Sequence, residues 1–140
     1  MPSEVMSVRV SEDVRARLLR ESARRGERPT SLAQQLIDEG LRVRAHPLIR
    51  FADGPAGRRA RLLAGPDVWE LVWFVRRSEA VGEGRIAHAA AWFAIPTFQV
   101  EAGLAYYANF PADIDRHIAV NETALAEAQA THEGRGRLVR

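Results

Sequence analysis

Met6-Ser7-Val8-Arg9-Val10, followed at once by Ser11-Glu12-Asp13, is the stretch that decides how this chain is organised. Its first residues alternate apolar and polar with period two, the pattern of a half-buried strand. Ser11 then offers a helix N-cap, and Glu12-Asp13 an acidic first turn. Val14, Leu18 and Ala23 fall on roughly one face of the helix that should follow, with Leu19 beside them and arginines filling the rest. Gly26 supplies the residue that commonly ends a helix. A second helix is expected from about Pro29-Thr30-Ser31, with Pro29 at or just before the first turn and Ser31–Gln34 at capping-box spacing. Leu32, Leu36, Ile37 and Leu41 form its apolar stripe, and it should end near Arg44.

One strand and two helices within residues 1–44 are too little chain to bury an adequate core alone. A lone strand also exposes unpaired backbone groups along both edges. Two copies pairing their strands antiparallel remove both problems. Val8 and Val10 then point inward and share a dimer core with Leu18, Leu32, Leu36 and Ile37. Ser7 and Arg9, with Val5 if the strand extends that far, point outward from a two-stranded ribbon. Such a ribbon fits the DNA major groove, where an arginine can bond guanine O6 and N7.

The run from Met6 to Leu41 resembles the ribbon-helix-helix superfamily, the Arc/MetJ/CopG class of repressors. The resemblance lies in the short strand before Ser11, in Gly26, and in the Thr30-Ser31-Leu32 opening of the second helix. It implies that Val5, Ser7 and Arg9 make base contacts in operator DNA. It also implies that Thr30 and Ser31 hold a DNA phosphate, which agrees with helix N-termini being anion sites. Pro29 departs from the pattern, since it removes one N–H near that clamp. Val5 would read little beyond a thymine methyl.

Composition sets the outer limits. Of the 140 residues, 46% are hydrophobic and 27% charged, which is globular rather than disordered. All 20 basic residues are arginine, a compositional bias, so arginines on the outer helix face such as Arg15, Arg17, Arg20, Arg24 and Arg25 are not read one by one as phosphate ligands. The net charge of +2 does not by itself identify a nucleic-acid binder. With no cysteine there are no disulfides or zinc-thiolate sites, which suits a reducing cytoplasm. The N-terminus lacks the layout of a secretory signal, and the longest nearly apolar run, Ile86 to Ile95, is too short to span a bilayer. A cytoplasmic protein without a membrane partner is expected.

After a linker at Ala45-His46-Pro47, a second domain over residues 45–132 is expected to open with a β-hairpin. Its arms are Leu48–Phe51 and Arg59–Leu63, around a turn at Asp53-Gly54-Pro55-Ala56-Gly57. Gly65-Pro66-Asp67 should cap a helix bearing Trp69, Leu71, Val72, Trp73 and Val75. Helices at Arg85–Ile95 and Phe98–Asn109, joined at Pro96-Thr97, have the outline of a helix-turn-helix. The second of these carries no basic residue, so it reads as a packing or partner surface. Pro111 opens a last helix bearing Ile114, Ile118, Leu125 and Ala128. The basic tail, residues 133–140, should be flexible. The expected fold is therefore mostly α: the dimeric strand-helix-helix module, then a small hairpin-plus-helical domain.

The second domain is similar to a small domain of unknown function that recurs in prokaryotic toxin-antitoxin operons. The likeness rests on Asp53–Arg59, Gly65–Glu70, Ala105-Tyr106-Tyr107, Pro111 and Ile114-Asp115, and covers roughly His46 to Glu127. The two resemblances together imply a VapB-type antitoxin of a type II system, a homodimeric autorepressor that neutralises a PIN-domain ribonuclease toxin. Arg135 or Arg137 would then enter the toxin's carboxylate cluster, with Leu138 and Val139 anchoring beside it. A merely solvated terminus or a second DNA-contacting arm fits those residues equally. The alternative at the level of function is a stand-alone repressor with no toxin. An enzyme is disfavoured: His46, His88, His117 and His132 are scattered, and Asp113–His117 reads as a surface helix contact. Trp69, Trp73, Trp92 and Tyr106-Tyr107 read as core, and any left exposed would mark an interface. No metal, cofactor or catalytic residue is expected.

Overall fold

The computed structural model describes residues 2–139; Met1 and Arg140, ends of the expected first module and basic tail, lie outside them. Among the described residues it is mostly helical, with six α-helices and one two-stranded antiparallel sheet. It divides into two compact units, Met1–Arg42 and Val43–Arg140. Among the described residues no helix is long and apolar enough to cross a membrane.

In the first unit, α1 (Glu12–Arg25) starts where Ser11 Oγ accepts the Val14 N–H at 3.2 Å. It ends at Gly26, whose φ of 66° is left-handed. There the Gly26 N–H reaches Ala23 O at 3.2 Å and the Glu27 N–H reaches Ser22 O at 2.9 Å, the paired bonds of a Schellman motif. Helix α2 (Pro29–Ala45) opens with the Leu32 N–H on Arg28 O at 3.0 Å. Arg28 is therefore the cap, Pro29 the first helical residue, and Ser31 lies inside the first turn. The expected Ser31–Gln34 capping box is not how this helix begins, because the proline, with its φ already helical, starts it earlier.

Residues 2–10 form neither strand nor helix in the single chain, so the strand expected over Met6–Val10 is not present. A strand needs an edge to bond to, and this unit offers none within one copy. Of the expected dimer core only Leu32 is buried, at 2% exposure, and Leu18 is half-buried.

The second unit is built around a hairpin and four helices. Strands β1 (Ile49–Ala52) and β2 (Arg59–Leu62) pair antiparallel, with Ile49 opposite Leu62 and Phe51 opposite Ala60. Their turn is closed by the Gly57 N–H on Gly54 O at 2.9 Å, with Gly57 at a φ of 99°. Then come α3 (Val68–Arg77), α4 (Glu83–Phe93), α5 (Thr97–Asn109) and α6 (Pro111–Leu138). Ile49, Leu62, Val68, Leu71, Ala89, Val100, Tyr106 and Ile114 make one buried cluster. Helix α5 lies at its centre, touching α3, α4, α6 and β1. Gly103 allows this: a Cβ there would sit 2.5 Å from Leu71 Cδ2.

Helix α6 departs from expectation at its end. It runs through Leu138, so Glu133–Leu138, expected to be flexible, are helical. The Ala-rich run from Ala124 to Thr131 carries the helix onward despite Gly134 and Gly136. Ile114 and Ile118 are buried as the apolar pattern predicts, but Leu125 is exposed, and everything from Glu122 to Val139 faces solvent.

Candidate functional site

The residues expected to meet DNA are all exposed. Val5 is 99% exposed, and Ser7 and Arg9 follow it, also exposed, on the N-terminal segment. Thr30 and Ser31 come together at the start of α2. Since Leu32 already bonds back to Arg28, and Pro29 has no N–H, the amides of Thr30 and Ser31 are the ones the helix itself leaves over. The single chain groups this pair but does not join it to Ser7 and Arg9 through any regular element. On the helix faces, Arg17 pairs with Asp13 at 2.9 Å and Arg42 with Asp38 at 3.1 Å, and Arg24 bonds Glu21. Such exposed pairs contribute little stability, and they partly neutralise the arginine face.

The apolar residues of the same unit are left open as well. Val8 is 64% exposed, Val10 54%, and Leu36 and Ile37 48% each. Val14, Leu19 and Leu41 join them. These seven apolar side chains stay open although α1 is capped at both ends.

The second unit holds two polar clusters. Arg59 and Arg61 alternate along β2 and so share a face, where both meet the buried carboxylate of Asp67. Their Nε atoms lie 2.6 and 2.8 Å from its two oxygens, though neither N–H is aimed for a hydrogen bond, so charge does most of the holding. Asp67 does sit at the N-cap of α3 as expected, but its side chain serves the arginines instead of the helix amides. Nearby, burial holds the Glu70 carboxyl above its ordinary pKa; the Asp67 charge adds to this, and Arg61 and Arg59 oppose it.

Across α3, α5 and α6, the Tyr107 hydroxyl donates to Asp115 Oδ1 at 2.7 Å and Arg76 Nη2 donates to the same oxygen at 2.9 Å. The bond to Tyr107 is the chief cause that lowers the Asp115 pKa, and the same bond raises that of Tyr107. His117 proves to be buried, with Nε2 3.1 Å from the Arg58 carbonyl, so the surface contact expected for Asp113–His117 is not its role. Its helix face turns toward the hairpin loop, where it meets the Arg58 carbonyl. His46 is likewise structural, edge-on to Tyr106 and Phe110 and 2.9 Å from Asn109 Nδ2.

The aromatic residues divide. Tyr106 is core, Trp69 and Trp73 are half-buried, and Trp92 is 69% exposed. Together with Phe74, Phe93, Glu70, Asn121, Glu122 and Leu125 these tryptophans line an open groove of about 390 Å³ between α3, α4 and α6. Trp92 stacks on Phe74 with ring centres 5.3 Å apart. The one-turn spacing of Trp69 and Trp73 was the available sequence signal for this groove, but core helices show the same spacing. Comparison of the chain with protein-family models, with curated proteins and with solved structures finds no match.

Proposed function

We propose that this chain is a DNA-binding homodimer of the ribbon-helix-helix kind, acting in the cytoplasm as the antitoxin and autorepressor of a type II toxin-antitoxin pair. The observation that carries the reading is the open apolar face of the first unit. Val8, Val10, Leu36 and Ile37 stand about half exposed or more in a unit whose first helix is already capped at both ends. A second copy is the natural cover. Pairing the Met6–Val10 segments supplies each with the strand edge it lacks, and the valines then go inward as Ser7 and Arg9 go outward. The exposed Thr30 and Ser31 amides suit a DNA phosphate at each end of the ribbon.

The toxin half of the proposal rests on the resemblance of both segments to antitoxin-operon proteins, with a PIN-domain ribonuclease as partner. Arg135 and Arg137, exposed near the end of α6, are the groups assigned to its acidic site.

Sedimentation of the full chain, paired with DNA binding at graded salt, tests the core of this reading. A dimer is expected, with affinity falling steeply as salt rises. Arg9→Ala should weaken specific binding by roughly 5- to 100-fold, the range of one base contact. A monomer at micromolar concentration that ignores DNA at low salt would overturn it. Deleting Glu133–Arg140 tests the tail separately, since full toxin inhibition by the shortened chain would remove Arg135 and Arg137 from that role.

A further inference from the structure

We infer that the aromatic groove of the second unit is a docking site for an arginine side chain on an apolar segment of another protein. Its walls are the indoles of Trp69, Trp73 and Trp92 with the rings of Phe74 and Phe93, and its polar members are Glu70, Glu122 and Asn121. Carboxylates and π faces are both attractive to a cation, and among the described residues no cationic side chain lines the groove. Glu70 in particular is a carboxylate beside aromatic rings that burial disfavours as an anion even with Arg61 and Arg59 opposing, so a further cation would be favoured there.

The rim of the same groove displays the chemistry on a small scale. Arg77 lies with its guanidinium carbon 4.4 Å from the centre of the Trp73 ring and its Nη2 3.3 Å from Glu122 Oε1. A guanidinium between an indole and a carboxylate is therefore an arrangement this surface already supports. Arg77 is not itself among the residues that line the groove.

Two observations favour a polypeptide over a free small cation. The groove is large for one guanidinium, and Leu125 and Phe93 extend it with apolar surface that flanking residues can cover. Trp92 and Leu125 are both more than half exposed, so the site is a trough and not a closed cage. A small cation would stay wet on its open side, where cation–π attraction is weak, whereas a segment laid across the trough excludes water. The groove belongs to the second unit and would act whether or not the first unit binds DNA.

Tryptophan emission reports on the site directly, because Trp69, Trp73 and Trp92 are the chain's three tryptophans and all line it. The full-length protein is titrated with an acetylated, amidated Leu-Arg-Leu-Val peptide, with the same peptide carrying neutral citrulline for arginine, and with tetramethylammonium. Saturable change with the arginine peptide, roughly tenfold weaker with citrulline, is expected. Trp92→Ala and Glu122→Gln, both at exposed positions, should each weaken the arginine peptide and leave the folding transition in place. Equal binding of the two peptides would reduce the groove to an apolar surface and overturn the assignment. So would tetramethylammonium binding as tightly as the peptide, or no saturable response at all. If Arg135→Ala/Arg137→Ala alters the emission without any peptide, the occupant is this chain's own tail, and the assignment to another protein fails.

Discussion

Replacing Gly103 by alanine sets two effects against each other, and their sizes decide the sign. Gly103 lies inside α5, where alanine is the better helix former by about 0.8–1 kcal/mol. Against that, the new Cβ would stand 2.5 Å from Leu71 Cδ2 and 3.4 Å from Leu62 Cδ2. Carbon atoms in good contact sit about 3.5–4.0 Å apart, so the Leu71 methyl must retreat by roughly 1 Å. Leu71 and Leu62 are both fully buried, which leaves α3 and the hairpin no free space to yield into. Overpacking of this kind costs about 1–3 kcal/mol, so the clash should win by on the order of 1 kcal/mol. In a domain of this size that lowers the melting temperature by about 4–8 °C. Tryptophan emission isolates the transition of the second unit, since all three tryptophans are there. Leu71→Val removes the offending methyl, and the double variant should recover about 1 kcal/mol relative to the sum of the single changes. A higher melting temperature for Gly103→Ala, or strict additivity with Leu71→Val, would refute the close approach of α3 to α5.

The other predictions concern charge and the dimer. Asp67→Asn keeps the volume of the side chain but removes the carboxylate that Arg59 and Arg61 share; because both arginines are partly exposed, a loss of about 1–3 kcal/mol in urea denaturation of the second unit is expected. Glu70 has a raised folded-state pKa, so its contribution is fully present below its unfolded pKa and is lost as pH rises through the folded one. Wild type should therefore lose stability relative to Glu70→Gln as pH rises from about 4 toward neutrality; melting curves at several pH values check this, and parallel curves would contradict it. Asp115 is lowered, so its contribution is present above its unfolded pKa and lost as pH falls through the folded one, and Asp115→Asn should flatten only that acid limb. If the proposed dimer forms, Val8→Asp should abolish it in sedimentation while leaving the tryptophan-reported transition of the second unit unchanged.

Local signals were legible in the sequence wherever a residue acts on its immediate neighbours. Ser11 and Gly26 cap α1 as their chemistry dictates, and the glycine-rich turn at Gly54–Gly57 places the hairpin within a residue of its expected arms. Long-range partners were not legible. Nothing in the spacing of Arg59 and Arg61 names Asp67 as their shared anion, because that choice depends on how the chain folds back after Leu62. His117 is a similar case: four residues after Asp113 it reads as a surface pair, yet the face it shares with Ile114 and Ile118 carries it inward to the Arg58 carbonyl. For the tryptophans, spacing gave the correct helix face but not the depth, and depth is what separates a core from a groove.

The contrast between the two units is itself an argument about what the first one is for. The second unit buries Val68, Leu71, Val100 and Tyr106 almost completely, so its apolar residues find their partners within one chain. The first unit has comparable apolar residues at helical spacing on its helices and alternating along Met6–Val10, yet Leu32 is the only large one it buries among those described. Helix capping cannot explain the difference, since α1 is closed at both ends. Nor can a generally polar composition, because the open side chains are valine, leucine and isoleucine in periodic places. A monomeric unit under no further constraint would gain stability from replacing them by polar residues. Their periodicity therefore points to a surface that is covered in use. On the proposed reading the two-residue repeat of Val8 and Val10 is covered by the same segment of a second copy, the one cover available without a second gene product.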